Sequence, residues 1–336
     1  MLCATLGWHK IEGKQVLRNA LNVLLTIFMV LVLGQVAQAE DSRSVKLNQG
    51  TVGLLASQPE LLDNALKIAN SIDHTDGMRV LPIIGRGGLQ SINDLLFLRG
   101  VDVAMLSSDS LAYVKKNGLY KDEADKVSLL AKLANVNIIV VARKEFSRLE
   151  SLQAKRVATG TVNSDEFVAA DLVFDDLDVT YERVSVSGKD ALAALQDGRV
   201  DAAIFSGAAS QAMLASIKKN SGLHILPIAL AENLSEAYAP AILTSAEFPN
   251  LISDGTAIET VAAALVLAVF DWPNKSERFY KLRKFSDALF ANYFPSLGKQ
   301  QNTNFLANVP GWKAYFAPKE ITGSSSEETQ SLSVVQ

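Results

Sequence analysis

Beyond the first ten residues the chain has two histidines, His74 and His224, and its single cysteine is Cys3. That set makes no metal site. The histidines lie far apart and neither belongs to a ligand spacing, so each reads as an ordinary surface or core side chain. Serines are frequent, but no G-x-S-x-G elbow occurs and no Ser-His-Asp arrangement can be assembled. Gly85-Arg86-Gly87-Gly88 begins like a dinucleotide-binding turn. Gln90 then stands where the third glycine belongs, and no acid closes a ribose site. There is no Walker lysine. Asp175-Asp176 and Asp178 lack the glycine and the terminal glutamate of a calcium loop, and read as a solvated helix end. The sequence therefore predicts no catalytic residue, no metal, no cofactor and no enzymatic activity.

Small polar and charged side chains gather instead in five short segments: Ala56 to Glu60, Gly85 to Gln90, Ser107 to Ser110, Gly160 to Glu166, and Ser206 to Ala209. Each is expected at the carboxyl end of a strand, where the next helix exposes unpaired N–H groups and ligands of open α/β sheets collect. Two lobes facing each other across such loops would enclose a small-molecule cleft.

The elements that must carry these loops are legible from periodicity. Thr51 to Ala56 is strand-like, and Pro59 to Ile72 places apolar residues at helical spacing in two stripes, Leu62, Leu66, Ala69 and Leu61, Ala65, Ile68, Ile72. Strands are expected at Arg79 to Ile84, Val101 to Leu106, Ile138 to Ala142, Arg156 to Ala158 and Ala202 to Phe205. Helices are expected through Leu95 to Leu98, from near Ser108, over Glu166 to Phe174, and around Ala191 to Leu195. The alternation predicts open, mostly parallel sheets with helices on both faces. Thr260 to Phe270 is apolar but about half the length of a bilayer span, and fits a strand buried on both faces. One internal similarity suggests two lobes on one plan: Arg99 to Ser107 resembles Gly198 to Ser206, each with a turn, an Asp at the start of a buried strand, and a serine at its end.

The N-terminus reads as a targeting segment. Lys10, Lys14 and Arg18 precede the apolar run Ala20 to Leu33, and Ala37-Gln38-Ala39 offers a small-x-small cleavage site after Ala39; the alternative is a retained anchor. Cys3 precedes the apolar run, so no lipid-anchor signal is present. Removing this leader leaves a chain without cysteine, which excludes disulfides and thiolate zinc. The net charge of −4, with scattered acids and bases, argues against nucleic acid, which wants a basic patch. The stretch from Gly323 is rich in Ser and Glu and predicts disorder.

With the loops placed, a family resemblance can be stated. The chain resembles the TAXI-type solute-binding proteins of TRAP (tripartite ATP-independent periplasmic) transporters from about Val45 to about Pro318. The marks are Leu98-Arg99-Gly100-Val101-Asp102-Val103-Ala104, Ser108-Asp109, Val140-Val141-Ala142-Arg143-Lys144 and Leu195-Gln196-Asp197-Gly198-Arg199-Val200-Asp201-Ala202. Later marks are Phe270-Asp271-Trp272-Pro273, Ser276-Glu277-Arg278 and Asn308-Val309-Pro310-Gly311-Trp312. The resemblance implies a two-lobed type II periplasmic-binding-protein fold with a hinge. It implies a first lobe of 45–139 with 241–318, a second lobe of 140–240, and a disordered tail at 319–336. The implied activity is a monomeric periplasmic receptor that hands a small organic solute, of the organic-acid or amino-acid class, to integral-membrane TRAP permease subunits.

The ligand residues implied are Ser57 and Gln58 in the first loop, Arg86, Gly87 and Gly88 in the second, and Ser107, Ser108 and Asp109 in the third. Asn163, Ser164, Asp165 and Glu166, then Ser206 and Gly207, follow from the second lobe. Ser107 stands where the family often has Gln. Ala56-Ser57-Gln58-Pro59-Glu60 replaces a glycine-rich turn, and Asn163-Ser164-Asp165-Glu166 replaces Gly-Ser-Gly-Thr. Ser57-x-x-Glu60 fits a capping box, and Asp165 and Glu166 put negative charge on a helix N-terminus, so both loops would repel a second anion. Arg86 and Arg143 could grip a carboxylate or form salt bridges. These altered loops keep open a second function, a degenerate receptor that serves as a partner or sensor module for a membrane complex.

Overall fold

The computed structural model describes residues 50–73, 77–297, 305 and 308–316. The expected leader, the C-terminal tail and His74 lie outside them. Val52 onward forms one compact unit.

The first sheet contains β1 (Thr51–Ala56), β2 (Arg79–Ile84), β3 (Val103–Ser107), β4 (Val127–Asn137), β10 (Ala239–Thr244) and β11 (Ala257–Phe270) in the order β10-β11-β3-β1-β2, with β4 also on β11. The second holds β5 (Ile139–Arg143), β6 (Arg156–Ala158), β7 (Glu182–Val184), β8 (Ala202–Phe205) and β9 (Leu223–Leu226) in the order β7-β6-β8-β5-β9. The chain leaves the first sheet through Ile138 alone and returns between Leu226 and Ala239.

Both sheets are mixed. β1 pairs parallel with β3, and β6 pairs parallel with β7 and β8, as strands joined by helical crossovers must. β11 runs antiparallel to β3, β4 and β10, and β5 runs antiparallel to β8 and β9. The antiparallel strands border the crossings: a chain that passes between sheets without a helical crossover arrives from the opposite end. β11 spans about 45 Å. Its Ile258 packs with the second sheet's core and Leu265, Leu267 and Val269 pack with the first, so one strand runs beside both lobes.

Helices cover the sheets. α1 (Leu62–Ile72) follows a short 3-10 turn at Pro59–Leu61, and buries Ala65, Ile68, Ala69 and Ile72. Of the two apolar stripes, the second is the core face, while Leu66 is exposed. α2 (Gly88–Phe97) follows β2, α3 (Asp109–Lys116) follows β3, α4 (Asp165–Asp176) follows β6, α5 (Gly188–Gln196) follows β7, α6 (Gly207–Ala215) follows β8, and α7 (Glu277–Ala288) follows β11. Leu282 and Phe285 of α7 are fully buried with Val52 and Leu54 of β1. A single apolar cluster joins Leu111 and Val114 of α3 to Val168, Leu172 and Val173 of α4, so the lobes share a core where these helices meet.

The repeated sequence segments have the same local structure. Asp102 precedes β3, its N–H donates to the Gly53 carbonyl (3.0 Å), and its carboxylate accepts the Gly53 N–H (3.0 Å). Asp201 precedes β8 and does the same with Arg156, at 2.8 and 3.0 Å. Only glycine fits at 53, where a β-carbon would fall 1.7 Å from the Gly100 carbonyl oxygen. Residues 308–316 extend this framework: Lys313 and Tyr315 exchange backbone hydrogen bonds with Leu129, and the Trp312 indole donates to the Ser108 carbonyl (3.0 Å). No helix among the described residues is long and apolar enough to cross a membrane.

Candidate functional site

Two helix N-termini, one from each lobe, meet at a group of buried polar side chains. In the first lobe β3 ends at Ser107 and α3 begins at Asp109. Asp109 is fully buried and its Oδ2 accepts a hydrogen bond from the Tyr238 hydroxyl (3.0 Å), which comes from the returning crossing. Burial pushes the Asp109 carboxyl up to about 6. The Tyr238 hydroxyl and the nearby Ser107 hydroxyl and Ser110 and Asp109 amides ease the charge only in part, but only Tyr238 makes a hydrogen bond to the carboxylate, and Oδ1 has none.

In the second lobe, Ser164 caps α4: its backbone is extended and its Oγ accepts the Phe167 N–H (3.2 Å). The cap turns Asp165 inward. Asp165 is buried, its Oδ1 lacks a partner, and its carboxyl is held well above the usual range by burial and then by the charges of Asp109, Glu166 and Glu60. Glu166 is also raised, by burial first and by Glu60 and Asp109 after it. Every charge acting on Asp165 is another carboxylate.

Glycines let the lobes approach. A β-carbon on residue 88 would fall 2.1 Å from Ser110 Oγ and 3.4 Å from Asp165 Oδ1, so those two atoms, one from each lobe, converge on the same point. A β-carbon on residue 87 would fall 2.1 Å from the Asn163 carbonyl oxygen, and its φ of 108° independently demands glycine. Ser57, Ser110 and Ser206 are buried, and none of their hydroxyls has a partner.

Gly87, Gly88, Asp109, Asn163, Ser164, Asp165 and Glu166 thus come together as one group. Ser57 adjoins it, its carbonyl accepting the Gly87 N–H (2.6 Å), and Ser107 faces Asp109. Gln58 is half-buried, and Ser206 and Gly207 close the carboxyl end of β8. The expected capping box does not form: the 3-10 turn starts at Gln58 without a side-chain cap, and Ser57 is buried inside the loop. Ser108 is occupied by the framework, its N–H and Oγ bonded to Ala264 of β11 (2.8 and 2.9 Å) and its carbonyl to Trp312. Arg86 is exposed. Arg143 lies at the opposite end of the second sheet, bonded to Asp201 and to Glu145, because β5 runs antiparallel to β8 and carries its last residue away from the cleft. Tyr238, Ser110 and Glu60 complete the group. Ser110 and Glu60 lie within loops the sequence singles out, whereas nothing local marks Tyr238. Among the described residues no group of His, Cys, Asp and Glu is arranged to hold a metal ion.

Residues 65–286, more than half of the chain, match the NMT1-like family. The chain belongs to that family. The NMT1-like family corresponds to the TAXI-type TRAP solute-binding proteins, which are not enzymes and are typically extracytoplasmic. This NMT1-like chain folds as two mixed sheets flanked by helices. No curated protein matches it. Solved structures with a similar course include a TctC solute binding protein from Polaromonas (18% identity, 72% of this chain and 88% of that one, TM-score 0.41). Others are the amino acid ABC transporter substrate-binding protein AbpA from Streptococcus pneumoniae bound to L-arginine (12%, 72% and 90%, TM-score 0.41) and the GluR0 ligand-binding core from Nostoc punctiforme in complex with L-glutamate (15%, 71% and 92%, TM-score 0.41).

Proposed function

We propose that this protein is a monomeric extracytoplasmic receptor that captures a small organic solute, of the organic-acid or amino-acid class, between its lobes and delivers it to membrane-embedded TRAP-type permease subunits. One observation carries this reading. Buried polar atoms from both lobes, Ser110 Oγ and Asp165 Oδ1 among them, converge without partners of their own. Orphaned buried groups cost free energy unless something else bonds them, and a bound solute would supply those bonds.

The single residue between β4 and β5, Ile138, and the returning segment before β10 act as the hinge. Residues 45–139 with 241–318 move as one lobe and 140–240 as the other. A solute held first by one lobe favours closure because only the closed form adds contacts from the second. Export requires a leader cleaved after Ala39, and N-terminal sequencing of the secreted protein should begin at Glu40. Thermal melting against a panel of organic acids, amino acids and amines should give a saturable rise with at least one compound; a flat response across the whole panel overturns the receptor reading.

A further inference from the structure

We infer that the cleft recognises a protonated amine, held between Asp109 of the first lobe and Asp165 and Glu166 of the second. The inference rests on the receptor reading and narrows its solute.

Charge makes the first argument. Three carboxyl groups are drawn together from two lobes, with Glu60 at the exposed rim: Asp109, Glu166 and Glu60 raise Asp165, and Glu60 and Asp109 raise Glu166. No basic side chain enters the electrostatic surroundings of Asp109, Asp165 or Glu166. Of the two arginines that could have brought positive charge, Arg143 holds Asp201 and Arg86 is exposed, while Arg156 also holds Asp201 and Arg183 holds Asp171. An anionic solute would add like charge to a buried acidic group, whereas an ammonium or guanidinium group neutralises it.

Hydrogen bonding makes the second, and it is independent of charge. Asp109 Oδ1, Asp165 Oδ1 and Ser110 Oγ are buried and unpartnered, and each can accept. A primary ammonium offers three N–H donors and no acceptor, which is the complement of that set. Glycine at 88 lets Ser110 and Asp165 come close to one another, since a β-carbon there would strike Ser110 Oγ. A hard metal ion would use oxygens too, but it needs a tighter cluster of ligating groups than the described residues offer.

The test uses three solutes of equal length and different charge, succinate, 4-aminobutyrate and putrescine, with the full chain at pH 7.5 by calorimetry and thermal melting. Putrescine and 4-aminobutyrate should bind and raise the melting temperature while succinate does not. Asp165→Asn should weaken amine binding at least tenfold and yet raise the melting temperature of the ligand-free protein, because it removes a buried acid that is costly to ionise. Preferential succinate binding would overturn the amine inference and leave the receptor reading intact. Amine binding unaffected by Asp165→Asn, or silence of all three solutes with a lowered melting temperature in that variant, would also overturn it. Only silence across the wider panel would take the receptor reading with it.

Discussion

The two lobes carry buried aspartates at both ends of corresponding strands, and the ends behave differently. Asp102 and Asp201, at the starts of β3 and β8, each bond the backbone amide of the neighbouring parallel strand and each meet a cation, Lys281 at 2.6 Å for Asp102 and Arg143 and Arg156 for Asp201. Burial raises the Asp201 carboxyl, but the Arg156 amide, its guanidinium and the Arg143 charge outweigh that and bring it below the usual range. Asp109 and Asp165, beyond the ends of β3 and β6, meet no cation and are raised, Asp109 by burial and Asp165 by burial and neighbouring carboxylates. The same side chain is a rivet where its charge is matched and a poised acceptor where it is not. On the proposed reading, the protein keeps its stability at one end of the sheets and its guest site at the other.

The contrast can be broken by substitution. Asp102→Ala should cost the most, about 3–5 kcal/mol, since it removes the ion pair with Lys281 and leaves the Gly53 amide without its buried acceptor; equilibrium denaturation would read it. The acids at the other end should respond to pH with the opposite sign from Asp201. Asp109 has a folded pKa above its unfolded value, so its contribution is complete below about pH 4 and is lost as pH rises through about 6. The ligand-free protein should therefore lose stability between pH 4.5 and 7.5, on the order of 3 kcal/mol. Asp201, held low, contributes above its unfolded pKa and loses that only in more acidic solution. Melting curves across this range separate the two ends.

Asp165→Asn should stabilise the ligand-free protein at pH 7.5 by about 1–2 kcal/mol, whereas the corresponding change at a matched acid should not. The smallest effect is expected outside the cleft. The Tyr113 hydroxyl of α3 donates to Asp171 of α4 (3.2 Å), beside Arg183 stacked on Phe167, and Lys116 meets Asp175 on the exposed side. Tyr113→Phe should cost about 0.5–1.5 kcal/mol without altering the pH profile, because this clasp joins the lobes but touches none of the cleft acids.

Features set by local sequence were readable before the structure. The α1 stripe through Ala65, Ile68 and Ile72, the acids Asp165 and Glu166 at a helix N-terminus, and the Asp-led strands at 102 and 201 all follow from spacing and residue type. Partner choice was not readable, because it is decided by segments far apart in the chain. Ser57 reads as a cap but is buried against the β2 turn. Arg143 reads equally as a cleft cation or a salt-bridge partner, and the antiparallel course of β5 carries it to Asp201 and Glu145. Ser108 reads as a ligand residue but is bound to β11 and Trp312. Tyr238 contacts Asp109 across 129 residues of sequence, and nothing around it announces that contact. β4 and the direction of β11 were hidden for the same reason: an apolar run does not state which way its neighbours travel.

The central claim is that the cleft acids exchange protons for a positively charged guest, and proton counting reads it directly. Calorimetry of putrescine binding at pH 6, in two buffers of different ionisation heat, should reveal release of about one proton as the raised carboxyls ionise around the amine. Binding with no proton release, or with proton uptake, would contradict it.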